Sequence, residues 1–224
     1  MKPKRTYPCK TNEPSALDLC GTPPYALEPL LPYIPKYLRI WEPACGEGIL
    51  ANALRIAGYD VIETDIELGQ DFFEYQPPKW DVIITNPPYG IKPAWTEHCY
   101  ELGKAFALLM PTEFQGTGAA AEMFDHYGVE IMNLTPRVDF KMPVEKWFSC
   151  AQFPVSWYCS QILPSQLMFE FLRKPSRTES RQVWKRDKKT GFMKLITERG
   201  YGDWTERPVR YDPISEKFEY DKET

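Results

Sequence analysis

At 224 residues, with 43% hydrophobic and 26% charged residues, the chain has the length and composition of one folded domain with an appendage. A net charge of -4 excludes a surface built as a whole for a polyanion, so any nucleic-acid contact must come from a local patch. Six cysteines without a C-x-x-C pair, only two histidines and no 18-residue apolar run argue against a disulfide framework, a metal site and a membrane span, and point to a cytoplasmic protein.

In chain order, Leu38 to Trp41 reads as a short buried strand, followed by the turn Glu42-Pro43-Ala44-Cys45-Gly46-Glu47-Gly48. Residues Ile49 to Ala57 place apolar side chains at helical spacing and end at the helix stop Gly58. Asp60 to Asp65 and Asp81 to Thr85 are further strands, Pro93 to Gly103 a helix, and Lys104 to Met110 a central strand. A helix over 113–127 and strands at Val129 to Leu134 and Gln152 to Cys159 complete the pattern. Strands alternating with helices predict an α/β, Rossmann-like fold: a mainly parallel twisted sheet covered on both faces, with ligands at the carboxyl ends of its strands.

From Arg173 the character changes. Between Arg173 and Lys194 there are nine Lys or Arg against two acids, a local charge of +7. Lys188-Lys189-Thr190-Gly191, between VWKRD and FMKL, reads as a hairpin turn. The last fifteen or so residues turn acidic and are expected to be mobile. The division predicted is 1–172 as the catalytic domain and 173–224 as a basic extension. Lys185, Arg186, Lys188 and Lys189 are its candidate contacts to nucleic-acid phosphates.

The most informative residues are Asn86-Pro87-Pro88-Tyr89, directly after the apolar run Val82-Ile83-Ile84-Thr85. The prolines fix φ, and Pro88 biases Pro87 to an extended conformation, so the loop is stiff. Asn86 Oδ1 and the Pro87 carbonyl are two acceptors that can converge on a planar amine, whose two hydrogens need two partners. Tyr89 offers a face for the ring that carries the amine.

A second set lies upstream. Gly46 lets a ligand approach the backbone of the turn, and the helix that follows presents free N–H groups. G-x-G-x-x-G is absent, because position 51 is Ala, and no Walker A loop occurs, so a polyphosphate is not expected here. Asp65 is placed to accept from a ribose diol, Asp71 could accept an adenine amino hydrogen, and Phe72 could pack on the purine. Cys45 reads as a small packing residue.

Taken together, Thr22-Pro23-Pro24, Glu42-Pro43-Ala44-Cys45-Gly46, Asp65, Asp71-Phe72 and Asn86-Pro87-Pro88-Tyr89 resemble the S-adenosylmethionine-dependent DNA adenine-N6 methyltransferases over roughly residues 15 to 160. The order, cofactor motifs first, resembles the subgroup whose recognition region follows the catalytic domain, and the compact size suggests an orphan enzyme of bacterial or phage type. A phage enzyme would work in the host cytoplasm.

The resemblance implies that Thr22 and the backbone of Glu42, Ala44 and Gly46 hold the methionine moiety of S-adenosylmethionine. Asp65 would bind its ribose, with Glu63 as the alternative, and Asp71 with Phe72 its adenine. It implies direct in-line methyl transfer to a flipped adenine held by Asn86, Pro87, Pro88 and Tyr89. The second stacking ring would come from Trp147-Phe148, Phe148 by position. DNA is the expected partner. An RNA adenine or a protein glutamine amide poses the same two-hydrogen problem, and a non-catalytic nucleic-acid-binding subunit of the same fold is the alternative from another class.

Overall fold

The computed structural model describes residues 21–140 and 153–173, and the backbones of four further strands between 180 and 220. The first region is built from β1 (Arg39–Glu42), α1 (Ile49–Ile56), β2 (Asp60–Glu63), β3 (Val82–Thr85), α2 (Lys92–Leu102), β4 (Ala105–Pro111), α3 (Gly118–Tyr127), β5 (Glu130–Thr135), β6 (Val155–Ser160) and β7 (Leu167–Phe171). Its seven strands run in the order β2-β1-β3-β4-β6-β5-β7. The pairings of β1 with β2 and β3, of β3 with β4 and of β5 with β7 are parallel. Only β6 runs against its neighbours β4 and β5. This is the Rossmann-like α/β sheet that the alternating pattern predicts.

The strands are apolar on both faces because both are covered. Ile40, Val82, Ile84, Ala107 and Leu109 pack on one face with Leu50, Ala51 and Leu54 of α1. Trp41, Ile83, Phe106, Leu108 and Met110 pack on the other with Trp95 and Cys99 of α2 and Ala120 and Met123 of α3. The α1 face is also closed by the segment before β1. Trp157 Nε1 donates to the carbonyl of buried Ala26 at 2.8 Å, and Tyr25 Oη accepts from the Asp139 N–H at 2.7 Å. Arg55 ties α1 to β2 through Glu63 Oε2 at 2.9 Å and the Val61 carbonyl at 3.0 Å.

Helix ends follow the sequence signals. Gly48 (φ +75°) opens α1 and Gly103 (φ +68°) closes α2, both in the left-handed region that glycine tolerates. The single helix expected over 113–127 is two pieces, a 3-10 turn Thr112–Gly116 and then α3. Thr117 makes the break: its Oγ1 accepts from the Ala120 N–H as the cap of α3 and donates back to the Phe114 carbonyl.

Strand β7 was not anticipated. It is an edge strand with Leu167, Phe169 and Phe171 all exposed on one side. The second region is a four-stranded antiparallel sheet, β8 (Ser180–Arg186), β9 (Met193–Arg199), β10 (Asp203–Asp212) and β11 (Lys217–Tyr220), in the order β11-β10-β9-β8. Arg186 pairs with Met193, so β8 and β9 flank the turn read from the sequence, while Lys188 to Gly191 themselves lie outside the described residues. The tail expected to be mobile instead contributes the end of β10 and β11, paired from Asp212 with Lys217 to Val209 with Tyr220.

Replacing Trp157 with Phe removes the donor to Ala26 while keeping a large ring, and leaves a buried carbonyl unpaired. We expect a loss of about 1–3 kcal/mol in denaturant unfolding with an unchanged m-value.

Candidate functional site

From β1 the chain turns to β2 on one side, while β3 lies on the other. Connections that part in this way leave a crevice outside the carboxyl ends of the two central strands, here β1 and β3. Three loops open onto that edge: Glu42 to Gly46 after β1, Asp65 after β2, and Asn86 to Tyr89 after β3.

The first two loops are fastened to each other. The Thr64 N–H donates to the Glu42 carbonyl at 2.9 Å and the Cys45 N–H to the Thr64 carbonyl at 3.1 Å, carrying the parallel ladder beyond both strands. Exposed Gly46 (φ +49°) donates its N–H to Asp65 Oδ2 at 2.8 Å, and Asp65 Oδ1 accepts from the Glu67 N–H at 2.9 Å. Each carboxylate oxygen thus takes one backbone donor and retains lone-pair capacity for a ligand hydroxyl. Glu63, the alternative, is ion-paired with Arg55 and turned to α1, which leaves Asp65 as the carboxylate on the turn.

Glu42 is 2% exposed. Its carboxyl takes a hydrogen bond from the Ala51 N–H in the first turn of α1, and its Oε2 has no partner among the described residues. Burial pushes its pKa up to about 8, and Asp65 adds to the rise, against the opposing pull of Arg55 and the Ala51 N–H. The folded chain therefore holds this proton more tightly than the unfolded chain. The group's contribution to stability is full below about pH 4.5 and is lost as pH rises towards 8.

In the third loop Pro87 is buried, and Asn86, Pro88 and Tyr89 are half-buried. Pro88 is extended (φ -62°, ψ 122°) and caps the 3-10 turn Tyr89–Ile91 that leads into α2. Lys92 Nζ donates to the Tyr89 carbonyl at 3.0 Å, and the Tyr89 ring meets Phe153 edge-on at 5.8 Å. Phe153 was not read as a site residue. Its signal in the sequence was its place just before β6, whose antiparallel course brings its start to the same edge as the ends of β3 and β4. Phe148 lies outside the described residues.

Asp71 is half-buried, with Oδ1 accepting from the Phe73 N–H at 3.0 Å. Phe72, at 3% exposed, packs as a core ring, stacked on Trp95 at 4.0 Å and tilted against Trp41 at 5.3 Å. The exposed apolar side chains near this edge are instead Ile66, directly after Asp65, and Phe73. Thr22 is buried at the start of the segment that covers the α1 face, and Ala44 is half-buried in the first loop. Lys185 and Arg186 occupy the last two positions of β8, and Lys188 and Lys189 lie outside the described residues.

Cys45, Cys99 and Cys159 are buried and carry no disulfide, and burial pushes the thiols of Cys99 and Cys159 well up, which suits packing and not nucleophilic attack. Among the described residues no three His, Cys, Asp or Glu gather as a metal site, and no helix is long and apolar enough to cross a membrane.

If Phe72 is a core ring, Phe72→Ala should cost about 3–5 kcal/mol of stability with no ligand present. Thermal or urea unfolding checks this, and a change under 1 kcal/mol would return Phe72 to the ligand edge.

No family model and no curated protein matches the chain. Among solved structures, the chain is similar to a proposed RNA methyltransferase from Pyrococcus horikoshii, at 15% identity and a TM-score of 0.42 over 62% of this chain and 79% of that one. It is similar to a type I restriction-modification methyltransferase subunit from Streptococcus thermophilus at 14% identity and 0.40, over 72% of this chain and 47% of that one. A dimethyladenosine transferase from Plasmodium falciparum aligns at 16% identity and 0.39, over 63% and 64%. At such identities the chemistry has to be argued from the chain's own residues.

Proposed function

We propose that the chain transfers a methyl group from S-adenosylmethionine to the exocyclic N6 of adenine in DNA, with the target base flipped out of the duplex. The observation that carries the reading is the placement of Asn86-Pro87-Pro88-Tyr89 at the end of β3, across the switch-point crevice from the turn that Asp65 holds.

The residues present fit the cofactor. Exposed Gly46 at positive φ, with open space where a Cβ would stand, gives a ligand access to the backbone of the first loop. Asp65 has lone pairs for a ribose diol, Asp71 is an acceptor for an adenine amino group, and Ile66 is an exposed apolar face beside them. The missing glycine fingerprint suits a nucleoside that carries no phosphate. When bound, the cofactor supplies a methyl group on a sulfonium whose departure leaves a neutral thioether.

Adenine N6 is a poor nucleophile because its lone pair is delocalised into the ring. Asn86 Oδ1 and the Pro87 carbonyl hold its two hydrogens, favour a more tetrahedral nitrogen and stabilise the positive charge that develops there. Stiffness of the loop matters, since acceptors restrained by two prolines need less reorganisation as the reaction proceeds. Tyr89 packs on one face of the extruded base, and Phe153, in edge contact with Tyr89, closes that wall. Because the leaving group is neutral, no residue is asked to protonate it, and the methylated N6 sheds its surplus proton to solvent to give the neutral product.

The substrate is tested by tritiated S-adenosylmethionine offered with DNA, RNA and protein, followed by nucleoside mass spectrometry. N6-methyladenine in DNA is the expected product, and label only in RNA or protein would overturn the DNA assignment. Asn86→Ala is expected to leave cofactor affinity nearly unchanged in calorimetry while lowering single-turnover methyl transfer by a factor of about 10² or more.

The basic stretch supports DNA as partner through charge alone. Replacing Lys185, Arg186, Lys188 and Lys189 with Gln should weaken DNA binding regardless of sequence. The slope of log K against log salt should flatten by roughly 0.9 for each phosphate contact removed. An unchanged slope would mean that this surface is only solvated.

A further inference from the structure

The Glu42 carboxyl is in an unusual position for an acid. One oxygen is served by the Ala51 N–H, the other has no donor among the described residues, and the side chain is cut off from solvent. An ionised carboxylate at 2% exposure would need more donors than that.

The charged groups around it are few. From α1 comes Arg55, whose guanidinium is already held by Glu63 and the Val61 carbonyl. From β2 and its turn come two further acids, Glu63 in register with Glu42, and Asp65. Strand β3, on the other side of β1, brings only Val82, Ile83, Ile84 and Thr85. Among the described residues the only nearby cation is therefore engaged elsewhere, and the remaining charges are negative.

We propose that Glu42 is carried as the neutral acid in the ligand-free protein and releases its proton when a cationic ligand seats on the Gly46 turn, so that binding is proton-coupled. The inference rests on the S-adenosylmethionine reading given above. The carboxyl O–H breaks, the proton leaves to solvent buffer, and the new negative charge balances the sulfonium within a low-dielectric surrounding where charges interact strongly. A pKa raised to about 8 before the ligand arrives is consistent with this, because the acid is then mostly protonated at neutral pH. A permanent sulfonium charge stabilises the carboxylate and lowers that value, and by linkage the ionised carboxylate tightens the ligand. The site thus favours a sulfonium over its neutral thioether product, increasingly so as pH falls short of 8 by less.

The test is calorimetry of S-adenosylmethionine binding to the full chain at pH 6.5, in two buffers of very different ionisation enthalpy. At that pH the ligand's own amino group, with a reference pKa near ~7.7–8.0, keeps its proton. The wild type is expected to release close to one proton per site, and its affinity to rise up to about tenfold per pH unit between pH 6 and 7.5. Glu42→Gln, which imitates the neutral acid, should release none and show a flat affinity over the same range. An infrared difference spectrum of the wild type, independent of any variant, should show the protonated-carboxyl stretch lost on ligand addition.

Wild-type binding with no proton release, or equal release from the Gln variant, overturns the inference and leaves the proposed function intact. Absence of S-adenosylmethionine binding altogether overturns both.

Discussion

A single carboxylate sets the geometry on which the candidate site depends. Asp65 accepts the Gly46 N–H with one oxygen and the Glu67 N–H with the other, so the loop after β1 and the turn after β2 are held in one arrangement. Gly46 is an exposed glycine at positive φ, and the carboxylate adds a second restraint to the turn bond around it. The ladder contacts of Cys45 and Thr64 bring the two loops near, the Gly48 N–H closes the turn on the Cys45 carbonyl at 2.7 Å, and the Asp65 side chain ties that turn to the one after β2. Because Asp65 is bonded to backbone and not to other side chains, the arrangement tolerates change in the residues between.

On the opposite side of the crevice the constraint is of another kind. Two prolines and the short 3-10 turn of Tyr89–Ile91 stiffen the loop after β3, and buried Pro87 anchors it to the sheet. Beneath the rim, Trp41, Phe72 and Trp95 form a continuous aromatic layer between β1 and α2. The layer converts a crevice between two strand ends into a wall that does not give, which suits chemistry dependent on positioning alone.

Much of this was legible in the sequence, and the reasons are specific. The central strands are continuous apolar runs because both faces are covered, and Gly58 and Gly103 are local signals read without knowledge of the fold, whereas the cap at Thr117 was passed over inside a helix read as unbroken. Asp65 and Asn86 were legible because the polar residue after a buried strand of a parallel sheet must lie at the ligand edge. The burial of Phe72 was not legible, because an aromatic beside an acid looks the same in sequence whether it faces the rim or the core. Only the position of Trp95 on α2 decides it. Phe153 was missed because its partnership with Tyr89 depends on β6 running antiparallel, a non-local fact. The exposed alternation of β7 carried a period-two signal too short to set apart from loop, and the strands beyond the first hairpin are polar enough to hide theirs.

The antiparallel insertion of β6 also dictates how the chain can be made. Strand β5 bonds only to β6 and β7, both of which follow it in sequence, and β4 finds its outer neighbour only in β6. As the chain leaves the ribosome N-terminus first, β2, β1, β3 and β4 can close as a four-stranded unit carrying the whole crevice. The apolar β5 must then wait, unpaired, for at least the nineteen residues of synthesis that separate it from Val155. The nascent protein therefore forms the crevice between β1 and β3 before its sheet is complete, with Phe153 still to join it, and the interval in which β5 is bare is the one in which a chaperone has most to shield.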